Sequence, residues 1–164
     1  SMKILMVCLG NICRSPLAEG ILAHKTKHLN VSVDSAGTAA YHIGELPDKR
    51  SIEIANKYNI DLSNQSARQF SRKDFEEFDI IYAMDTNNLA HLISLAETKQ
   101  EQKKIRLILN ESNPLSYESV PDPYYGVTVV YAVVVYRELT MWILTSGGGR
   151  KMKAKSTLHN KCHI

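Results

Sequence analysis

Apolar residues along this chain fall into short continuous runs separated by stretches of helical spacing. Ile4-Leu5-Met6-Val7 is one such run, ending at Cys8, and it has the pattern of a strand buried on both faces. Gly10, Asn11 and Ser15 punctuate the next segment, and Pro16 then suits the first turn of a helix with Ser15 as its N-cap. Leu17, Ile21 and Leu22 keep helical spacing to about Lys27. Val31 and Val33 begin a second strand that exits through Asp34-Ser35-Ala36-Gly37-Thr38. Pro47-Asp48 opens a second helix carrying Ile52, Ile54, Ala55 and Tyr58. Ser71 to Glu77 reads as a short helix with Ser71 at its start and Asp74 in its first turn. Asp79 to Met84 is a third buried strand, Asp85 caps a helix through Leu89, Leu92, Ile93 and Leu95, and Ile105 to Leu109 is a fourth strand. Strands alternating with helices predict an α/β fold: a doubly wound, four-stranded parallel sheet with helices on both faces.

The pattern changes beyond Leu109. Asn110 to Gly126 is a long loop rich in Pro, Ser, Asn, Asp and Tyr, and loops of that length are often functional. Val127 to Tyr136 is a β-branched and aromatic run with strand propensity and no helical amphipathicity. Arg137 and Glu138 interrupt it well short of the roughly 18 apolar residues of a membrane span. Gly147-Gly148-Gly149 then breaks the chain ahead of a basic end. These features divide the sequence into a body, residues 1–126, and an atypical C-terminal segment, residues 127–164.

Composition sharpens that division. At 164 residues, 44% hydrophobic and 23% charged, the chain is an ordinary globular protein of one domain. Its net charge of +3 belongs to the tail: Arg150, Lys151, Lys153, Lys155 and Lys161 have no acidic counterparts after Thr140. Without them, 15 basic face 17 acidic residues, a net of −2. Nucleic acid is therefore not an expected partner, since its binders carry a basic face on the folded domain. Three cysteines build no disulfide scaffold and leave at least one thiol free, which favours a reducing cytoplasm. No secretory leader is legible, and no membrane association is expected. In the tail, His159, Cys162 and His163 lack a nearby fourth ligand and are not read as a metal site.

The main chemical signal is Cys8-x5-Arg14-Ser15 between a strand and a helix. A loop in that place aims backbone N–H groups at one spot, and the helix adds its positive end, making a phosphate-binding cradle after the first strand. Arg14 can bind two oxygens of a tetrahedral oxyanion in a fork. A thiol at the bottom of such a cradle, among donors and near a guanidinium, favours its thiolate and becomes a nucleophile. Ser15 can hydrogen-bond the sulfur and ease its departure in a second step. The chemistry implied is attack on phosphorus, giving a cysteinyl-phosphate that water hydrolyses. The leaving group needs an acid, even for an aryl oxide whose conjugate acid has a pKa of about 10. Asp122, held between Pro121 and Pro123, is the candidate, and Tyr124 and Tyr125 beside it offer faces to an aromatic substrate.

Cys8-Leu9-Gly10-Asn11-Ile12-Cys13-Arg14-Ser15-Pro16 and Asp122-Pro123-Tyr124-Tyr125-Gly126 together resemble the low-molecular-weight protein tyrosine phosphatase family. The resemblance extends through Asp34 to Thr38, Tyr41-His42-Ile43-Gly44, Ala67-Arg68-Gln69 and Ala83-Met84-Asp85, and covers residues 2–126. It implies that Cys8 is the nucleophile, that Arg14 binds phosphate, and that Asp122 acts first as general acid and then as the base activating water. Leu9, Gly10, Ile12 and Cys13 complete the phosphate loop, while Asn11, Ser15 and Ser35 belong to the hydrogen-bond network shaping it. Tyr41, Tyr124 and Tyr125 wall the substrate cleft. Family members need no metal or organic cofactor, and they act on phosphotyrosine-containing proteins or small aryl phosphates. In the family, the thiol matching Cys13 can pair reversibly with the nucleophile under oxidation.

Two departures accompany the resemblance. Many mammalian members have a His, hydrogen-bonded into the loop network, where this chain has Gln65, which can still donate and accept and is expected to support the loop in an altered network. Family chains also continue past Gly126 into an amphipathic helix packed on the sheet, whereas this chain enters its Val/Tyr run. An uncovered sheet face would lower stability or promote weak self-association of an otherwise monomeric protein. Arsenate reductases share the loop but need relay cysteines, and none lies between Cys13 and Cys162. Two alternatives remain. One is a protein-arginine phosphatase, whose members tend to carry Thr where this chain has Ile12; the other is a catalytically impaired phosphate-binding module.

Overall fold

A computed structural model describes residues 1–111 and 117–120. The chain runs β1 (Met2–Cys8), α1 (Arg14–Lys25), β2 (Val31–Gly37), α2 (Lys49–Lys57), α3 (Lys73–Glu77), β3 (Ile80–Ala83), α4 (Thr86–Leu95), α5 (Lys99–Lys104) and β4 (Ile105–Leu107), then a 3-10 turn over Ile108–Asn110. The four strands form one parallel sheet in the order β2-β1-β3-β4. The connection leaving β1 therefore runs to one edge of the sheet, toward β2, and the connection leaving its neighbour β3 runs to the other, toward β4. The carboxyl end of β1 is thus a topological switch point, where open α/β sheets bind ligands.

Alternation along β1 feeds two cores. Ile4, Met6 and Cys8 face one side, where Ala18 and Leu22 of α1 meet Ile80, Tyr82 and Met84. Leu5 and Val7 face the other, against Phe70, Phe75, Phe78 and Leu92. All five residues from Ile4 to Cys8 are nearly inaccessible, as a central parallel strand requires. A third cluster joins Leu17 and Ile21, on the outer side of α1, to Ala55, Ile60 and Leu62.

Local chemistry sets the boundaries. Asp48 caps α2 by accepting from Arg50 N, and Asp85 caps α4 by accepting from Asn88 N at 2.7 Å. The expected role of Ser15 as a cap is overturned: α1 starts at Arg14, its N-cap is Cys13, and Ser15 lies inside the first turn. Its hydroxyl is committed elsewhere, to Cys8 and Asn11. Helix α1 also stops at Lys25, two residues early, with Thr26 as its C-cap and the Thr26 hydroxyl donating to the Leu22 carbonyl. The short helix expected from Ser71 begins at Lys73 instead. The Asp74 carboxylate accepts from Ser71 N and from Arg68, so Ser71 lies outside the helix in the turn leading to it. Helix α5 was not expected. Its sequence, Lys-Gln-Glu-Gln-Lys-Lys, buries nothing, and a Thr98–Glu101 capping box holds it. The fourth strand is three residues long and gives way to the 3-10 turn at Ile108. The C-terminal segment, residues 127–164, lies outside the described residues.

Candidate active site

The loop after β1 is built by its neighbours. The β1–β2 pairing continues past the strand ends, with Thr38 N donating to Cys8 O and Ala39 N to Leu9 O, both at 2.9 Å. Ile12 O accepts from Asp48 N at 2.7 Å, and Cys13 O from the Ser51 hydroxyl at 3.2 Å. These bonds use the loop's carbonyls. Among the described residues, the backbone N–H groups of Leu9, Gly10, Asn11 and Ile12 donate to no protein acceptor. Consecutive amides left in that state form an anion-binding concavity.

Asn11 is the pivot. Its φ of +55° is left-handed, a conformation that Asn tolerates better than most residues. The side chain, buried at 2% exposure, uses both ends: Nδ2 donates to Ser15 Oγ at 2.8 Å and Ser35 Oγ at 2.9 Å, while Oδ1 accepts from Arg68 N at 2.9 Å. Ser15 Oγ lies 3.0 Å from Cys8 Sγ. Cys8 itself is buried at the floor of the loop, and Cys13 is also buried.

Arg14 is nearly buried, and its Nη1 meets Asp85 Oδ2 at 2.6 Å and the Val120 carbonyl at 3.2 Å. Asp85 reaches it because Ala83 pairs with Val7, so the chain leaving β3 emerges beside the loop leaving β1. A buried guanidinium needs such a counterion. The sequence identified Asp85 as a helix cap alone; its place just past a strand adjoining β1 was the signal for the second role. Arg68 forms a further brace, bonding Asp34 at 2.9 Å and Asp74 at 3.0 Å. Burial opposes its charge, but the two carboxylates outweigh burial and push its pKa above the usual value.

The rim is apolar. Leu9, Tyr41, Ile43 and Leu46 are exposed, Ile12 is half-buried, and the Tyr41 ring meets the edge of His42 at 6.5 Å. Gln65 makes no hydrogen bond to Asn11, Ser15 or Ser35, contrary to the expected support of the loop network. Its Nε2 donates to the Pro16 carbonyl at 3.0 Å, so it braces the start of α1, and its buried Oε1 has no partner among the described residues. Cys8, Arg14, Ser15, Asn11 and Ser35 are thus brought together, whereas Asp122, Tyr124 and Tyr125 lie outside the described residues.

The model of the family described as low molecular weight phosphotyrosine protein phosphatase matches residues 3–140. The chain belongs to that family. A rat low molecular weight phosphotyrosine protein phosphatase is 40% identical over 131 residues, covering 77% of this chain and 82% of the rat protein. Among solved structures, YfkJ of Bacillus subtilis superposes with a TM-score of 0.80 at 36% identity, covering 88% of this chain and 93% of its own. A Drosophila arginine phosphatase superposes with a TM-score of 0.79 at 31% identity, over 92% of this chain and all of its own. Among the described residues, no helix is long and apolar enough to cross a membrane.

Proposed function

We propose that the protein hydrolyses phosphotyrosine monoesters in proteins, and small aryl phosphates, through a cysteinyl-phosphate on Cys8. The observation carrying this reading is the convergence of a buried thiol, four consecutive amides without an acceptor among the described residues, and an Arg14 braced by Asp85. Arg14 and the amides of Leu9 to Ile12 hold the phosphoryl oxygens, positive and dipolar groups set against charge that develops during transfer. Cys8 thiolate attacks phosphorus as the P–O bond to the aryl oxygen breaks, and that oxygen takes a proton from Asp122. Water then attacks the cysteinyl-phosphate and gives its proton to the Asp122 carboxylate. The S–P bond breaks, and sulfur leaves as thiolate with the Ser15 hydroxyl donating to it. The products are a phenol and inorganic phosphate. Tyr41, Tyr124 and Tyr125 flank the aryl ring, and Ile12 favours an aromatic substrate over phosphoarginine. The enzyme works in the cytoplasm, where Cys8 and Cys13 stay reduced.

Turnover of para-nitrophenyl phosphate and a phosphotyrosine peptide, abolished by Cys8→Ser, tests the reading. Preference for phosphoarginine would favour the arginine-phosphatase alternative. Tight phosphate binding without turnover would make the chain a binding module. Cell fractionation that finds the protein outside the cytoplasm would overturn its placement there.

A further inference from the structure

The hydrogen-bond network behind Cys8 does not end at Ser35. Ser35 Oγ lies 2.5 Å from Glu19 Oε2, which joins Glu19 of α1 to the loop through Asn11. We propose that Glu19 is a positioning residue whose charge state sets how firmly Ser15 is aimed at Cys8.

Hydrogen-bond polarity carries the argument. Arg68 N–H can only donate, so it takes the Asn11 carbonyl oxygen and leaves both amide hydrogens for Ser15 and Ser35. Each hydroxyl already receives a hydrogen and must send its own elsewhere. Ser35 sends its hydrogen to the Glu19 carboxylate, and Ser15 has Cys8 Sγ at 3.0 Å and the Ala36 carbonyl at the longer distance of 3.4 Å. An ionised Glu19 thus completes a chain with every donor matched. A proton on Glu19 Oε2 makes that oxygen a donor, and the Ser35 hydrogen loses its acceptor in a buried site. An unmatched buried donor is unfavourable, so Ser35 turns and loosens its grip on Asn11, which holds Ser15.

Glu19 is placed to titrate. It lines a cavity of about 320 Å³ with Gly20, Ala23, His24, Ile60 and Gln65, and that cavity meets solvent at Asn59, Asp61 and Asn64. Burial pushes the carboxyl up to about 7, the Ser35 bond and Arg68 pull it down, and Asp34 pushes it up. His24 and Asp61 are the other ionisable groups on the cavity wall.

The inference rests on the reading of Cys8 as the loop's reactive thiol, and its test reads that thiol directly. The rate of Cys8 alkylation by iodoacetamide, located by peptide mass, is followed from pH 5.5 to 8.5. The wild-type profile shows an inflection near 7 with a rate change of about three- to tenfold, the effect of one hydrogen bond. Glu19→Gln keeps an oxygen that accepts from Ser35 at every pH, so this inflection disappears while the thiol stays reactive. Ser35→Ala leaves Glu19 able to titrate but cuts the link, and the inflection again disappears. His24→Gln retains it. An inflection that survives in Glu19→Gln or Ser35→Ala, or is lost in His24→Gln, overturns the proposal, as does a wild-type profile without one. A merely structural Glu19 would lower the rate at all pH values without changing the profile's shape. Should the chain fail to hydrolyse phosphotyrosine while the Glu19-dependent inflection is present, the functional reading falls and the relay stands.

Discussion

Gly37 offers a sharp test of how the loop is built, because it touches the loop without belonging to it. It ends β2 opposite Cys8, donates from its N–H to Arg68 O and accepts from Phe70 N. A methyl group there would lie 2.7 Å from Leu9 O, 3.1 Å from Ala39 O and 3.2 Å from Asn11 N. All three are backbone atoms, so no side chain can rotate away. Bringing Leu9 O to an ordinary 3.4 Å contact requires a shift of about 0.7 Å. That shift lengthens the Ala39 N to Leu9 O bond and displaces the N–H of Gly10, which shares a peptide plane with Leu9 O and is one of the four loop amides. Overpacking of this kind costs about 1–3 kcal/mol, which for a domain of this size lowers Tm by roughly 2–4 °C per kcal/mol. Misplacing a reacting group by about 1 Å can cost about a hundredfold in rate. Gly37→Ala should therefore reduce kcat/KM for para-nitrophenyl phosphate by about ten- to a hundredfold and lower Tm measurably. Full activity with an unchanged Tm would refute the reasoning. A lower Tm with unchanged activity would show that the loop is not locked to β2.

Three further outcomes are expected. Asp85→Asn keeps an oxygen to cap α4 but removes the counterion of Arg14, so kcat/KM should fall more than tenfold; Asp85→Ala also loses the cap, and urea titration should show about 3–5 kcal/mol less stability. Ser15→Ala deprives Cys8 of its hydrogen bond, so the second step slows more than the first, and a burst of para-nitrophenol should become visible in stopped flow. Glu19 titrates at about 7 in the fold against an ordinary 4.5, so the fold favours its protonated form. That contribution is complete below pH 4.5 and lost as pH rises through 7. Relative to Glu19→Gln, the wild type should therefore lose about 1–2 kcal/mol between pH 4.5 and 7.5, a figure reduced for partial solvent screening, and a stability difference constant with pH would contradict this.

Much of this was legible in the sequence for physical reasons. Ile4 to Val7, bounded by Cys8 and Gly10, could be little else than a central strand opening into a loop, and Asp85 and Asp48 announced their helices by cap chemistry. What was not legible depends on contacts across the sheet. Ser15 has the right residue type for a cap, but Asn11 and Cys8 claim its hydroxyl only because β1 and α1 fold back on one another. Asp85 stands 71 residues from Arg14, and only the β1–β3 pairing brings them together. Glu19 lies where a helix period suggests a surface residue, and its link to the loop exists because β2 runs alongside α1.

Asp85 divides its two oxygens between two tasks: Oδ1 holds the first turn of α4 and Oδ2 holds Arg14. One carboxylate thus belongs both to the scaffold and to the anion pocket. A chain that has formed α4 with its Asp85 cap has at the same moment placed the second oxygen of that carboxylate where the guanidinium sits. The same coupling limits evolutionary drift. A descendant that gave up catalysis could exchange Asp85 for another capping residue such as Asn, but an apolar replacement would cost it the start of α4.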